Sequence, residues 1–229
     1  MGLLDNTSSQ ANTSLAGKTI LIYGAPKVGK STTSNTLPGN LFADLEGGLQ
    51  FLSCNRVSIS SWDDLLKLRD ELVTVKHNFK NLTIDTVDLF HKYCERYIVK
   101  KAGAKDINDG ELAYGKGGNR VKDEIINFLI SLKQKGISVT LISHGKEREM
   151  STKTAKWSYM GTTLGPSVET AMTALCDYIF YCYINEDGKR VMRTKPSKYV
   201  LAGDRSAKLP EIMEMDLNLI EKHLNKKDN

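Results

Sequence analysis

Short apolar runs alternate with longer segments of helical spacing along most of the chain. Five of these runs have the length and apolar content of buried strands, namely Thr19–Tyr23, Leu41–Leu45, Leu82–Asp85, Ser138–Ser143 and Tyr178–Ile184. Strands that alternate with helices usually form a parallel sheet covered on both faces. The pattern therefore predicts an α/β protein with a mostly parallel central sheet.

The segments between the runs contain helix signals. Ser61 is a typical N-cap residue, and it precedes two aspartates and a series of leucines at helical spacing that extends to Val75. Two more helices are predicted at Val87–Lys100 and Arg120–Lys135, the second ending at Gly136. These helices would cover the sheet.

The C-terminal part of the chain combines a hairpin with a helical pattern. Asp187 and Gly188 separate the run Tyr178–Ile184 from Arg190–Thr194, which predicts a β-hairpin. Apolar residues at helical spacing over Glu211–Leu224 predict a helical tail. We thus expect a flexible tail over residues 1–16, one domain over 17–210 and a helical tail over 211–229.

Composition narrows the class of protein. The chain has 229 residues, 40% hydrophobic and 26% charged, which suits one soluble domain. No run approaches the roughly 18 apolar residues of a membrane span, and the polar N-terminus is unlike a secretion signal. The four cysteines form no C-x-x-C pair and the histidines are scattered, which disfavours structural zinc. We expect a cytoplasmic protein with no membrane contact, whose net charge of +5 permits nucleic-acid binding without requiring it.

The segment Gly24–Ser31, with sequence GAPKVGKS, fits the phosphate-binding motif G-x-x-x-x-G-K-[ST] directly after the first predicted strand. Lys30 would reach the β- and γ-phosphates of ATP, and the Ser31 hydroxyl would bind Mg²⁺. The alternative is a glycine-rich turn that merely links a strand to a helix, which the Lys-Ser pair disfavours. The predicted nucleotide contacts are Gly24, Ala25, Pro26, Lys27, Val28, Gly29, Lys30, Ser31 and Thr32.

An acidic residue at the end of a buried strand completes a magnesium site in P-loop proteins. Asp85 ends the run Leu82–Asp85, so it is the predicted Walker B carboxylate and second metal-binding residue. The alternative is that Asp85 only caps the following helix.

Two further strand ends carry a family resemblance. The segment Asp44–Gly48 resembles the acidic-x-Glu segment of RecA-like ATPases, in which the Glu orients the attacking water; Glu46 matches that residue. Ser143-His144 resembles the place where such ATPases put a residue that senses the γ-phosphate, and His144 matches it. The resemblance implies that Lys30, Glu46, Asp85 and His144 are catalytic.

More closely, the chain resembles the compact RecA-like ATPases that bacteriophages encode as recombination or single-strand annealing proteins. The likeness extends from about Leu15 to Pro210 and implies a RecA-like core with a C-terminal β-hairpin. Full-length RecA recombinases carry an additional N-terminal element and a C-terminal domain that this length does not accommodate, so the resemblance alone does not imply filament formation or complete strand exchange.

The resemblance also implies two DNA-binding loops, at residues 102–118 and 145–164. The second contains basic and aromatic residues that suit phosphate contacts and base stacking. A solvated loop is the alternative, since Glu147 and Glu149 dilute the positive charge. The predicted DNA contacts are Lys146, Arg148, Lys153, Lys156, Trp157 and Tyr159.

ATPases of this class often place the nucleotide between subunits, with a basic residue reaching the neighbour's γ-phosphate. Residues in the segment after the predicted hairpin strand could act in this way, or could form an ordinary basic surface. They are Arg193, Lys195, Lys198 and Arg205. We accordingly expect a homo-oligomer, either ring or filament, with single-stranded DNA and a single-strand DNA-binding protein as partners.

The leading hypothesis from the sequence is a Mg²⁺-dependent ATPase that binds single-stranded DNA and promotes recombination or annealing in phage DNA metabolism. One alternative is a small-molecule or nucleotide kinase, although no compact arginine-rich lid is visible. Another is a DNA-annealing scaffold that binds ATP with little turnover, which the presence of Glu46 disfavours.

Overall fold

A central sheet organises the computed structural model, which describes residues 13–151 and 154–226. Within these residues the strand order is β10-β8-β7-β1-β5-β4-β2-β3, with β6 paired to β5 and β9 paired to β7. Strands β1, β2, β3, β4, β5 and β7 run parallel, so the predicted α/β class with a mostly parallel sheet is confirmed. The strands are β1 Thr19–Gly24, β2 Asn40–Asp44, β3 Arg56–Ser58, β4 Asn81–Asp85, β5 Ser138–Ser151, β6 Lys156–Thr162, β7 Tyr178–Ile184, β8 Arg190–Arg193, β9 Gly203–Asp204 and β10 Ile212–Glu214.

Helices lie on both faces of this sheet. The Ser61 side chain accepts a hydrogen bond from the Asp64 amide at 3.2 Å, so the predicted N-cap is present. One helix begins four residues before the predicted Arg120, and another, which starts at Pro166, was not predicted. None of the described helices is long and apolar enough to cross a membrane. The helices are α1 Lys30–Ser34, α2 Trp62–Thr74, α3 Val87–Lys101, α4 Lys116–Gln134, α5 Pro166–Leu175 and α6 Asn218–Leu224.

Apolar clusters fill the space between the helices and the sheet. On one face, the rings of Trp62, Phe90 and Phe128 from α2, α3 and α4 pack with centroids 4.9 to 5.6 Å apart. On the other face, Phe180 of β7 packs in a cluster with the buried Ile220 of α6. Burial of both sheet faces explains why the strands appear as continuous apolar runs.

The C-terminal segment differs from the predicted helix. Residues 212–214 form β10, which pairs antiparallel with β8, and only Asn218–Leu224 is helical. Met213 is buried between the exposed Ile212 and Glu214, which is the alternation of a strand with one buried face. A helix over the whole of Glu211–Leu224 is therefore wrong. Of the predicted N-terminal tail, residues 1–12 lie outside the described part, and Leu15 is buried in the same cluster as α6.

A β-hairpin occupies residues 145–162, where the sequence predicted a loop after the fourth apolar run. Strand β5 continues beyond the sheet and pairs antiparallel with β6, from Gly145 opposite Thr162 to Ser151 opposite Lys156. We call Gly145–Thr162 the arm. The alternating charges of β5 conceal this strand in the sequence, because neither face carries the apolar pattern of a core strand.

Candidate nucleotide site

The loop between β1 and α1 lies at the carboxyl edge of the sheet, where ligands of open α/β sheets bind. A Cβ atom on Gly24 would meet the Cys182 carbonyl oxygen at 2.2 Å, so only glycine fits where β1 passes β7. Gly29 has φ 110° and serves as the N-cap of α1. This left-handed conformation favours glycine and turns the chain from the loop into the helix.

Lys30 points back into this loop. Its buried ammonium donates to the carbonyl oxygens of Gly24 at 3.1 Å and Ala25 at 2.9 Å. Burial lowers the pKa of the Lys30 ammonium, with nearby carboxylates opposing the shift. A phosphate in the loop would offer this cation a better partner than two carbonyls do.

Ser31 and Asp85 form the pair expected of a magnesium site. The Ser31 hydroxyl donates to an Asp85 carboxylate oxygen at 2.7 Å. Burial raises the pKa of Asp85, while the Ser31 bond opposes this rise. Two oxygen donors suit Mg²⁺, which would keep water and phosphate oxygens as its other ligands. Within the described residues no group of three or more His, Cys, Asp or Glu side chains could hold a metal alone.

Glu46 lies at the same edge, just after β2. Its carboxylate accepts a hydrogen bond from the hydroxyl of Thr86 at 2.8 Å, and Thr86 directly follows Asp85. In addition, Asp44 accepts from the Gly47 amide at 2.7 Å, which shapes the turn that carries Glu46. Because β2 and β4 are adjacent with Asp44 opposite Asp85, the two predicted catalytic carboxylates lie on neighbouring strand ends.

His144 lies beside the phosphate loop, opposite Gly24 in the register of β5 with β1. Its Nδ1 atom is buried and has no hydrogen-bond partner among the described residues. The sequence did not identify Asp88, whose carboxylate accepts hydrogen bonds from Ser143 at 3.1 Å and from Thr163 at 2.7 Å. Asp88 thereby connects the two chain segments that enter and leave the arm, next to the nucleotide site.

The predicted DNA contacts differ in how far their side chains are engaged within the protein. Lys146 is exposed on the arm, and Lys156 forms an exposed ion pair with Glu149 at 2.7 Å. Trp157 is half-buried beneath the Lys198 ammonium, 5.3 Å from the ring centroid. Lys153 lies outside the described residues.

Arg148 and Tyr159 hold the arm on α5. The Arg148 guanidinium donates to the Thr162 carbonyl at 2.8 Å, also contacts the Leu164 carbonyl, and lies 3.6 Å from a Glu169 carboxylate oxygen. The Tyr159 hydroxyl donates to Glu169 at 3.0 Å. These partners engage both side chains within the protein, whereas the Lys146 side chain has no hydrogen-bond or ion-pair partner in the described part of the chain.

Most of the predicted trans-acting residues have partners in the same chain. Arg193 pairs with Glu211 at 2.5 Å, Lys195 with Asp204 at 2.9 Å, and Arg205 with Asp177 at 3.1 Å. Lys198 lies over the rings of Trp157 and Tyr199. Arg193, Lys195 or Arg205 could contact a neighbouring subunit only after its ion pair within the chain had opened.

Thr86, Asp88 and Glu169 are the polar residues that the sequence analysis missed. Thr86 and Asp88 lie within three residues of Asp85. Because Asp85 was predicted to end a strand at the carboxyl edge of the sheet, the same prediction could have placed Thr86 and Asp88 there. Glu169 lies in the unpredicted helix α5, so no motif pointed to it.

Comparisons with known proteins give a matching family model and a relative of part of this chain. Residues 16–206 match a family model described as an AAA domain. Over 140 residues the chain is 31% identical to the SPbeta prophage-derived uncharacterized protein YorG of Bacillus subtilis strain 168. That alignment covers 58% of this chain and 42% of the relative, so the chain spans less than half of that protein.

Proposed function

Because the chain belongs to the AAA domain family of P-loop ATPases, we propose that it hydrolyses ATP with Mg²⁺. We further propose that it is of the RecA-like phage type, binding single-stranded DNA to promote recombination or annealing in the host cytoplasm. The observation that supports hydrolysis is the convergence of Lys30, the Ser31–Asp85 pair and Glu46 at one sheet edge.

Each residue has a defined task in this proposal. Lys30 and the loop amides stabilise negative charge on the β- and γ-phosphates. Ser31 and Asp85 hold Mg²⁺, which neutralises charge on the phosphates when bound. Glu46 accepts a proton from, or orients, the attacking water, and the Thr86 hydroxyl fixes the carboxylate for this task.

The arm supplies the proposed DNA site. Lys146 offers an exposed cation for phosphates. Lys156 would bind a phosphate by exchanging its exposed ion pair with Glu149. Trp157 would stack on a base in place of the Lys198 ammonium. His144 lies on β5, the same strand that forms the first half of the arm, so a γ-phosphate bound near His144 would act on the arm directly. Coupling of this kind is reciprocal, and DNA should tighten ATP binding by the same factor. We also propose a homo-oligomer, ring or filament, that works with a single-strand DNA-binding protein.

The rate of ATP hydrolysis with and without single-stranded DNA tests the proposal. We expect DNA to stimulate turnover in the wild type, and Lys30→Ala and Glu46→Gln to abolish it. Lys122→Ala and Glu71→Gln, on exposed helix positions, are matched controls that should retain it. Phosphate transfer to an added acceptor in place of release to water would instead show a kinase. Unchanged turnover and ATP affinity in the presence of DNA would refute the DNA-dependent part.

A second pair of variants locates the DNA site. Lys146→Ala combined with Lys156→Ala should weaken DNA binding and flatten its dependence on salt while ATP binding is retained. Lys133→Ala combined with Lys135→Ala, at the exposed end of α4, is the control for loss of two charges. DNA affinity equal in the arm variant and the control would exclude the arm from the site.

A further inference from the structure

We propose that Arg190 and Met215 form the surface on which the base of the bound nucleotide stacks. The inference rests on the proposed nucleotide binding and concerns the half of the ligand that the phosphate motif does not explain.

Both side chains reach the phosphate loop from a distant part of the sequence. The Arg190 Nη1 atom and the Met215 Cε atom each lie 3.7 Å from the position that a Cβ on Gly29 would occupy. Gly29 immediately precedes Lys30 and Ser31, so this point borders the phosphate site. Arg190 begins β8 opposite Ile184, two residues beyond the Cys182–Gly24 pair, which carries it past the edge of the sheet.

The sheet order determines which end of a nucleotide meets these residues. Strands β4 and β2, which carry Asp85 and precede Glu46, lie on one side of β1, whereas β7 and β8 lie on the other. The metal and the reacting γ-phosphate belong on the side of Asp85 and Glu46. The base is at the opposite end of the nucleotide, so it would lie on the side of β1 that carries β7 and β8.

The two residue types suit a flat aromatic ligand. A guanidinium plane stacks favourably on aromatic faces, and a thioether contacts aromatic rings well. Arg190 is exposed and, among the described residues, has no carboxylate within ion-pair distance, unlike Arg193 and Arg205. A free cation at the border of an anion site is available to a ligand.

Met215 is held more firmly than Arg190. It packs against the apolar cluster that contains α6. Just after it, the Leu217 amide donates to the Thr36 hydroxyl at 3.0 Å, and the Asn218 side chain donates to the Thr36 carbonyl at 2.5 Å. These bonds fix the segment that carries Met215 against the residues that follow α1, so the thioether is prepositioned beside the loop.

Equilibrium binding of ATP and of inorganic tripolyphosphate, both with Mg²⁺, separates a base contact from a phosphate contact. Arg190→Ala should weaken ATP binding roughly tenfold, as expected for loss of a cation–π contact, and should leave tripolyphosphate affinity within about twofold. Arg190→Lys, which keeps the charge and loses the plane, should recover only part of the ATP affinity. Met215→Ala should also weaken ATP binding selectively, and Lys189→Ala, the exposed neighbour, should change neither ligand.

The possible outcomes are distinct. Equal losses for ATP and tripolyphosphate, or full recovery in Arg190→Lys, would make Arg190 a phosphate contact and overturn the inference. Unchanged ATP affinity in both Arg190→Ala and Met215→Ala would overturn it as well. A wild type that binds neither ligand would refute the proposed nucleotide function itself.

Discussion

Asp88 connects the nucleotide site to the arm, and its removal should loosen that connection by a measurable amount. The carboxylate accepts from Ser143, which precedes the arm, and from Thr163, which follows it. Asp88→Ala removes both bonds, whereas Asp88→Asn keeps an acceptor of similar shape without the charge.

The magnitude follows from the two contacts. A hydrogen bond to a charged group contributes about 1.5–3 kcal/mol. Asp88 is half-buried, and the Ser143 hydroxyl has a second acceptor in the His144 carbonyl at 3.3 Å, so the lower end applies. In Asp88→Ala, water can replace part of the two lost hydrogen bonds. We therefore expect this variant to lower the free energy of unfolding by about 2 kcal/mol. Asp88→Asn should lower it by about half as much.

Urea unfolding of a double-mutant cycle provides the assay. Asp88→Ala and Thr163→Val, alone and together, should give a coupling energy of about 1 kcal/mol. Asp187→Ala, in the exposed turn between β7 and β8, is the control and should change stability by less than about 0.5 kcal/mol. Hydrogen exchange in the arm should accelerate in Asp88→Ala while the central strands remain protected.

Additivity in this cycle within about 0.3 kcal/mol would refute the contact between Asp88 and Thr163. Unchanged exchange in the arm of Asp88→Ala would refute its role in fixing the arm.

Three other changes test the site and its supports. Burial raises the pKa of Asp85 above its ordinary value of 3.8, so the folded protein binds this proton more tightly than the unfolded chain does. The free energy of unfolding of the wild type should therefore fall, relative to that of Asp85→Asn, as the pH rises from the ordinary pKa through the raised pKa. Unfolding of both proteins without metal or nucleotide from about pH 3 to about pH 7 measures this, and a pH-independent difference would contradict it. Glu169→Ala should lower the free energy of unfolding by about 3–5 kcal/mol in calorimetry, because the largely buried Arg148 guanidinium keeps its carbonyl partners but loses its carboxylate. The exposed Glu147→Ala should cost little, and equal costs would exclude Glu169 as the anchor of the arm. Gly24→Ala should lower the free energy of unfolding by about 1–3 kcal/mol in urea and impair ATP binding, because the added Cβ clashes with the Cys182 carbonyl. Gly118→Ala, at a position with no atom near the added Cβ, should change neither. Retained stability and ATP binding in Gly24→Ala would contradict the clash.

The sequence predicted which polar residues meet at the carboxyl edge of the sheet better than it predicted the segments around that edge. Lys30, Ser31 and Asp85 were predictable together because a motif fixes the first two and a buried apolar run ends at the third. Glu46 and His144 were found because the segments around them resemble those of RecA-like ATPases, and parallel strands bring such strand ends to one edge. Their catalytic roles remain predictions.

The arm and the C-terminal strand were not predictable by the same means. The first strand of the arm carries Lys146, Glu147, Arg148 and Glu149 in sequence, and no apolar period marks it because it extends beyond the core. Strand β10 is only three residues long, and its pairing depends on β8, which is distant in the chain. Hydrogen bonds such as that of Asp88 with Thr163 join residues 75 positions apart, and no local pattern encodes them.

The two ends of the arm are direct neighbours, since Gly145 lies opposite Thr162 in the ladder. A segment that leaves and re-enters a domain at one point can be shortened, lengthened or exchanged without changing the register of the sheet. An arm from a relative could thus be grafted between these two positions while the phosphate loop and the hydrogen-bonded pair Ser31 and Asp85 stay intact. The arm is in this sense an interchangeable module on a P-loop core.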